Sequence, residues 1–255
     1  MKQKKSDPGL NFDGNGGTTA GTLSTNGFSL SNFISETNVE ITAMHSVWSG
    51  VSVGSGANSF ELLEGDLLFA TDKDGVTFSS ATEPDKTFKR EDVIVFRAST
   101  PGDYSTGDFF MLLDDPFDGP DIRGITLVEN PDGVTIGDTT LAQGTFLFSH
   151  SGGSEHDRVM TCVAHSVGSG NTNGTEKILI EGDSSTEDSS GGNLGFDNAI
   201  VGLHLVESNT TIGGVSLDAG DLLVAVHDGG DAATTVAGVS GSNQDIFRLT
   251  MNSTR

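Results

Sequence analysis

A strand-and-turn segment written three times does most to limit the folds open to this chain. GDLLFATDKDG at residues 65–75 is followed by GTFLFSHSGG at 144–153 and GDLLVAVHDGG at 220–230. Reading outward, "EITAMHSVWSGVSVGSGANSFELLEG" aligns with "GITLVENPDGVTIGDTTLAQG" and "GLHLVESNTTIGGVSLDAG". The last two share Leu-Val-Glu at 127–129 and 205–207 and Thr-Ile-Gly at 135–137 and 211–213. Ile41, Ile125 and Leu203 lie 84 and 78 residues apart, and Gly65, Gly144 and Gly220 lie 79 and 76 apart. A self-similar period of this size means that one supersecondary unit is repeated, each copy burying its apolar face against the next.

Each unit continues into a strand opened by Asp, "EDVIVFR" (91–97), "HDRVMTC" (156–162) and "QDIFRLT" (244–250). A further strand follows Gly in "STGDFFMLLDD" (105–115) and "TNGTEKILIEGD" (172–183), and the last unit ends before its own copy. "TTAGTLSTNGFSLSN" (18–32) has the same Thr-x-Gly opening, so the sequence predicts that this N-terminal strand completes the last unit. The expected organisation is a Gly-rich, basic arm at 1–17 and one all-β domain at 18–255. Its units fall at about 41–120, 125–197 and 203–255, closed into a propeller-like or pseudo-threefold ring that leaves no free sheet edge. A stacked β-sandwich array is the alternative.

Strand character is clear and helix character is absent. In "DVIVFR" and "DFFMLL" the apolar run is nearly continuous, the pattern of strands buried on both faces. "LHLVES" and "DLLVAVHD" mix apolar and polar as half-buried strands do. Gly (35 residues), Ser, Thr, Asp and Asn supply the turns between short strands.

Charge excludes several functions. The chain carries 36 acidic against 13 basic residues, a net charge of −23, and three of the basic residues are Lys2, Lys4 and Lys5. Nucleic acid and anionic membranes need clustered Lys and Arg, so neither is an expected partner. No apolar run is long enough to span a bilayer. The surface suits salty water and attracts divalent cations. Cys162 is the only cysteine, set in the apolar run "RVMTCVAH", which leaves no disulfide framework.

The segment "EDVIVFRASTPGDYSTGDFFMLLDD", followed by "DIRGITLVE" and the "TIGG" turn, resembles modules of very large acidic secreted or surface-attached bacterial proteins. Such proteins also carry calcium-binding RTX-type or cadherin-like repeats. The resemblance covers the chain from about residue 18 onward. It implies an extracellular or cell-surface location and a structural or adhesive role, with glycans or other surface proteins as partners, and it brings no active site with it.

Carboxylates on turns are the candidate ligands. Asp72 and Asp74 precede Gly75, and Asp114, Asp115, Asp118 and Asp121 crowd one Pro/Gly-bent loop. Calcium takes six to eight oxygens and favours such clusters. Asp-Gly and Asp-Pro are also ordinary turn formers, with side chains bonded to their own backbone. At the end of the repeated strand stand Asp72, His150 and His227, which around a threefold axis could bind zinc. Glu129 and Glu207 offer a carboxylate pair of the kind that hydrolyses glycosides, but they are equivalent repeat positions, which points to structure. Cys162 and His165 fall on opposite faces of a strand and do not pair. Trp48 and Tyr104 are the residues able to stack on sugars.

Overall fold

The computed structural model describes residues 27–116, 121–151, 156–170, 172–182, 198–227, 234–236, 239–241 and 245–251. Every regular element among them is a strand or a single 3-10 turn. The first group comprises β1 (Ile41–Ser46), β2 (Val51–Val53), β3 (Phe60–Leu62), β4 (Leu67–Thr71), β5 (Val76–Phe78), β6 (Lys86–Phe88), β7 (Val93–Thr100) and β8 (Asp103–Leu113). Then come β9 (Asp121–Leu127), β10 (Val134–Ile136), β11 (Thr139–Leu141), β12 (Thr145–Ser151), β13 (Val159–Ser166) and β14 (Asn173–Ile180). The last group is β15 (Ala199–Leu205), β16 (Thr210–Ile212), β17 (Val215–Leu217), β18 (Leu222–His227), β19 (Thr234–Val236), β20 (Val239–Gly241) and β21 (Ile246–Leu249).

Three antiparallel sheets carry the fold, in the orders β1-β4-β7-β8, β9-β12-β13-β14 and β15-β18-β21. Two-stranded hairpins interrupt them: β2–β3, β10–β11 and β16–β17 each leave the end of a first strand and return at the start of a second. Among the described residues no sheet closes into a barrel.

Side chains alternate across the pleat, and this stacks the sheets. From the first sheet, Leu68, Ala70, Val93, Val95 and Leu112 face one way and meet Ile125, Leu127, Phe146, Phe148 and Cys162 of the second. From the opposite face of the second sheet, Leu147 and Val159 join Leu203, Leu205, Leu222, Val224, Val226, Phe247 and Leu249 of the third. The first two sheets therefore carry core on both sides, although half of β14 and, on β13, Val163 and His165 stay exposed. The third does not: Val201, His204 and Ile246 are exposed and Leu223 and Ala225 are half-buried on its outer face.

The outer face of the first sheet, with Leu67, Phe69, Ile94, Phe96 and Phe109, is covered by the segment leading into β1 and by the β5–β6 hairpin. Phe28 packs edge-on to Phe96 at 5.0 Å between ring centroids, and Phe33 edge-on to Phe109 at 5.1 Å. For residues 27–32 this departs from the expectation that 18–32 complete the last unit. Residues 27–32 run into a 3-10 turn (Leu30–Asn32) and lay their apolar side chains on the first sheet. Phe28, Leu30 and Phe33 find a phenylalanine-lined face there and are buried against it. Residues 1–26, and with them the basic arm, lie outside the described residues.

Candidate functional site

The first strands of the three sheets, β1, β9 and β15, come together, and ionisable groups concentrate where they end. The same pair of backbone bonds marks the turn after each. Val47 N donates to Asp66 O and Gly65 N to Val47 O; Val128 N to Thr145 O and Gly144 N to Val128 O; Val206 N to Asp221 O and Gly220 N to Val206 O. These bonds make Val47, Val128 and Val206 corresponding positions. The residues that follow, Trp48, Glu129 and Glu207, correspond in turn.

The two glutamates link the sheets head to tail. Glu207 accepts from the backbone amide of Glu129 at 2.9 Å and of Asn130 at 2.6 Å. Glu129 accepts from the amides of Trp48 at 2.8 Å and Ser49 at 2.6 Å, and its other oxygen lies 2.9 Å from His45 Nε2. Each carboxylate thus satisfies two amides on the corresponding turn of the sheet before its own. Glu129 is 0% exposed, which a charge tolerates only when its oxygens are fully bonded. Burial raises Glu207 above the ordinary carboxylate value against the lowering pull of its two amide donors, and the charge of Glu129 adds to the rise. Burial lowers His204, with the nearby His45 contributing.

Local sequence explains the position. Leu-Val-Glu ends a strand so that the valine is held by the returning strand and the glutamate falls at the first free residue beyond it. Gly144 and Gly220 open the returning strands at φ +84° and +95°. At Gly220 a Cβ would collide with the Thr135 carbonyl of the β10–β11 hairpin, so that hairpin rests on a backbone with no side chain.

Beside the third turn lies a cavity of about 310 Å³ whose lining includes Trp48, His204, Glu207, Ser208, Ile212 and Leu223. Trp48 is 55% exposed. Tyr104 lines a different cavity of about 500 Å³ with Leu63, Asp66 and Arg97, so the two aromatic residues do not share a stacking platform. In that second cavity Arg97 holds the buried Asp66 through Nε at 2.9 Å and Nη2 at 2.7 Å. Arg248 holds Asp221 in the third sheet through Nε at 2.7 Å.

The turn aspartates are engaged with protein groups. Asp72 accepts from the Glu40 amide at 2.8 Å. Arg90 stands where a cation would: its Nε is 3.0 Å from Asp121 and 3.7 Å from Asp74, and Arg123 reaches the other Asp121 oxygen at 3.2 Å. Asp114 accepts from the Gly170 amide at 2.6 Å, and the Asp115 amide donates to Asp92 at 3.1 Å. Asp118 lies outside the described residues. His150 is buried in β12 opposite Ile122, whereas His227 ends β18 exposed to solvent. The expected meeting of Asp72, His150 and His227 is not found: no three His, Cys, Asp or Glu side chains among the described residues gather in a way that could hold a metal ion. The strand ends that do converge are those of β1, β9 and β15, and the three residues lie on other strands, β12 and β18, or in the loop after β4.

Glu129 and Glu207 are not arranged as a hydrolytic pair, because one is sealed from solvent and each is bonded to backbone. Sequence reasoning found both as repeat positions, and Trp48 as a residue able to stack on sugars, but missed His45 and the backbone amides that the two glutamates serve. The signal was there in Leu-Val-Glu twice and Ser-Val-Trp once, the turn after β1 carrying an indole where the turns after β9 and β15 carry a carboxylate. No family model matches the chain, and neither a curated protein nor a solved structure matches it.

Proposed function

We propose that the chain is a non-enzymatic structural and adhesive module of a larger extracellular or surface protein, made of three successive units of one repeat. The observation that carries this reading is the use of its best-placed acids. Glu129 and Glu207 occupy corresponding positions and do the same job, fastening one sheet to the next through paired backbone amides, whereas a catalytic acid keeps its oxygens free for substrate. The acidic surface favours solubility in salty media. Pairing of Arg90 and Arg248 with two aspartates each and of Arg97 with one is consistent with structural use of charge.

The test is an assay of the full chain for reducing ends released from acidic and neutral polysaccharides, run beside urea unfolding of Glu207→Ala. No turnover, with a clear loss of stability in the variant, is the expected result. Turnover that disappears in Glu207→Gln would replace this reading with a polysaccharide hydrolase.

A further inference from the structure

Three turns of the same build are present, but only two receive a carboxylate. Trp48 and Ser49 receive Glu129, and Glu129 and Asn130 receive Glu207. The corresponding amides in the third sheet belong to Glu207 and Ser208, and among the described residues no carboxylate reaches them. The residue that would supply one, by its place in the relay, is Trp48, which lines the same cavity as Glu207 and Ser208. We propose that this cavity is a binding site for a carboxylate carried on a sugar-sized ring, the class of the uronic acids. The ligand's carboxylate takes the amides of Glu207 and Ser208, and its ring lies on Trp48.

Size and lining agree. A cavity of about 310 Å³ is at the small end of ligand sites and suits a single pyranose. Indole offers a flat, partly wet face on which sugar C–H groups stack, and Ile212 and Leu223 complete an apolar wall. Thr210 and His204 place polar groups within the same lining for ring hydroxyls. The negative charge of Glu207 does not bar an anion from its own amide, because Glu129 already shows a glutamate amide donating to a second glutamate. At physiological salt the repulsion from the rest of the −23 surface is screened beyond about 8 Å.

This inference rests on the relay reading above, and the experiments separate the two. Trp48 is the only tryptophan, so its fluorescence reports directly on the cavity. Titration of the full chain with D-glucuronate, D-glucose and acetate should give a saturable change for glucuronate. Binding of glucose should be at least ~10-fold weaker, because the amides would face no anion, and acetate should bind more weakly than glucuronate for want of a ring. Equal responses to glucose and glucuronate, equal affinities for acetate and glucuronate, or no saturable response would each overturn the proposal.

A second arm fills the site from within. Trp48→Glu should melt several degrees above Trp48→Gln and should no longer gain stability from glucuronate. Equal melting of the two variants would sink the proposed carboxylate site. If Glu207→Ala is destabilised in the same series, that failure leaves the relay standing; if Glu207→Ala is neutral, the relay itself has failed.

Discussion

Removing the Glu207 carboxylate is the sharpest test of how the sheets are held. Both the Glu129 and Asn130 amides reach Oε2, at 2.9 and 2.6 Å, and the Glu129 amide also reaches Oε1 at 3.0 Å. In Glu207→Gln the amide oxygen can sit at the Oε2 position and keep both donors. Its NH2 group then faces the Glu129 N–H, so the expected loss is about 1 kcal/mol. In Glu207→Ala both donors lose their acceptor at the junction of two sheets, at about 1–2 kcal/mol each, and a loss of about 2–4 kcal/mol is expected. The pH dependence adds a sign. Glu207 is raised in the folded state, so the native protein holds its proton more tightly than the unfolded chain does, and this group's contribution falls as pH rises from the ordinary 4.5 through the folded value. The loss in Glu207→Gln should therefore be larger at pH 4.5 than at pH 7. Urea midpoints followed by far-UV circular dichroism at both pH values read all of this. An alanine variant within about 0.5 kcal/mol of the parent, or a glutamine loss that grows with pH, would refute the reasoning.

Other perturbations follow from single contacts. Gly220→Ala puts a Cβ at φ +95° and against the Thr135 carbonyl, and should cost about 2–4 kcal/mol by thermal or urea unfolding, whereas Gly213→Ala, with open space around it, should cost only the backbone strain of about 1 kcal/mol. Asp92 is pushed up to about 6 by burial from an ordinary 3.8, so its contribution to stability falls as pH rises between those values, by up to about 3 kcal/mol; Asp92→Asn should flatten the stability profile across that window. Burial pushes the Cys162 thiol up to about 12, so Ellman's reagent at pH 8 should modify it only at the rate of unfolding, and rapid modification of the native protein would contradict its place between the first two sheets. Millimolar calcium is expected to leave the melting temperature within about a degree of its value in EDTA, because Asp74 and Asp121 are paired with Arg90; a rise of several degrees would return the 114–121 loop to the account as a calcium site.

Strand content was legible because pleat periodicity is written locally. "DVIVFR" became β7, with Val93 and Val95 on one face and Ile94 and Phe96 on the other, all buried. The mixed pattern of "LHLVES" and "DLLVAVHD" became β15 and β18, buried on alternate residues. The joining of sheets was not legible, because it depends on register. Alignment from Ile41, Ile125 and Leu203 pairs His45 with Glu129, while the backbone bonds pair Trp48 with it, since Val47 lies six residues beyond its anchor and Val128 and Val206 only three beyond theirs. The surroundings of the turn aspartates were not legible for a different reason. Their partners Arg90 and Glu40 come from other stretches of chain, and a sequence read in one dimension leaves such carboxylates looking available for a cation. Phe28, Leu30 and Phe33 followed the same rule, since an apolar segment goes to whichever face is bare, and that face was fixed by residues far along the chain.

One-sided burial of the third sheet sets an order in which the molecule comes apart. The second sheet loses half of its covering when the third lifts away, while the first remains clad by Phe28, Leu30 and Phe33 on one side and by Phe146 and Phe148 on the other. Local opening free energy should accordingly rise from β21 inward to β7, and amide exchange should trace that slope residue by residue. Tension or proteolysis acting on this protein would meet a graded latch, with the residues around Glu207 yielding first and the phenylalanine-rich face of the first sheet last.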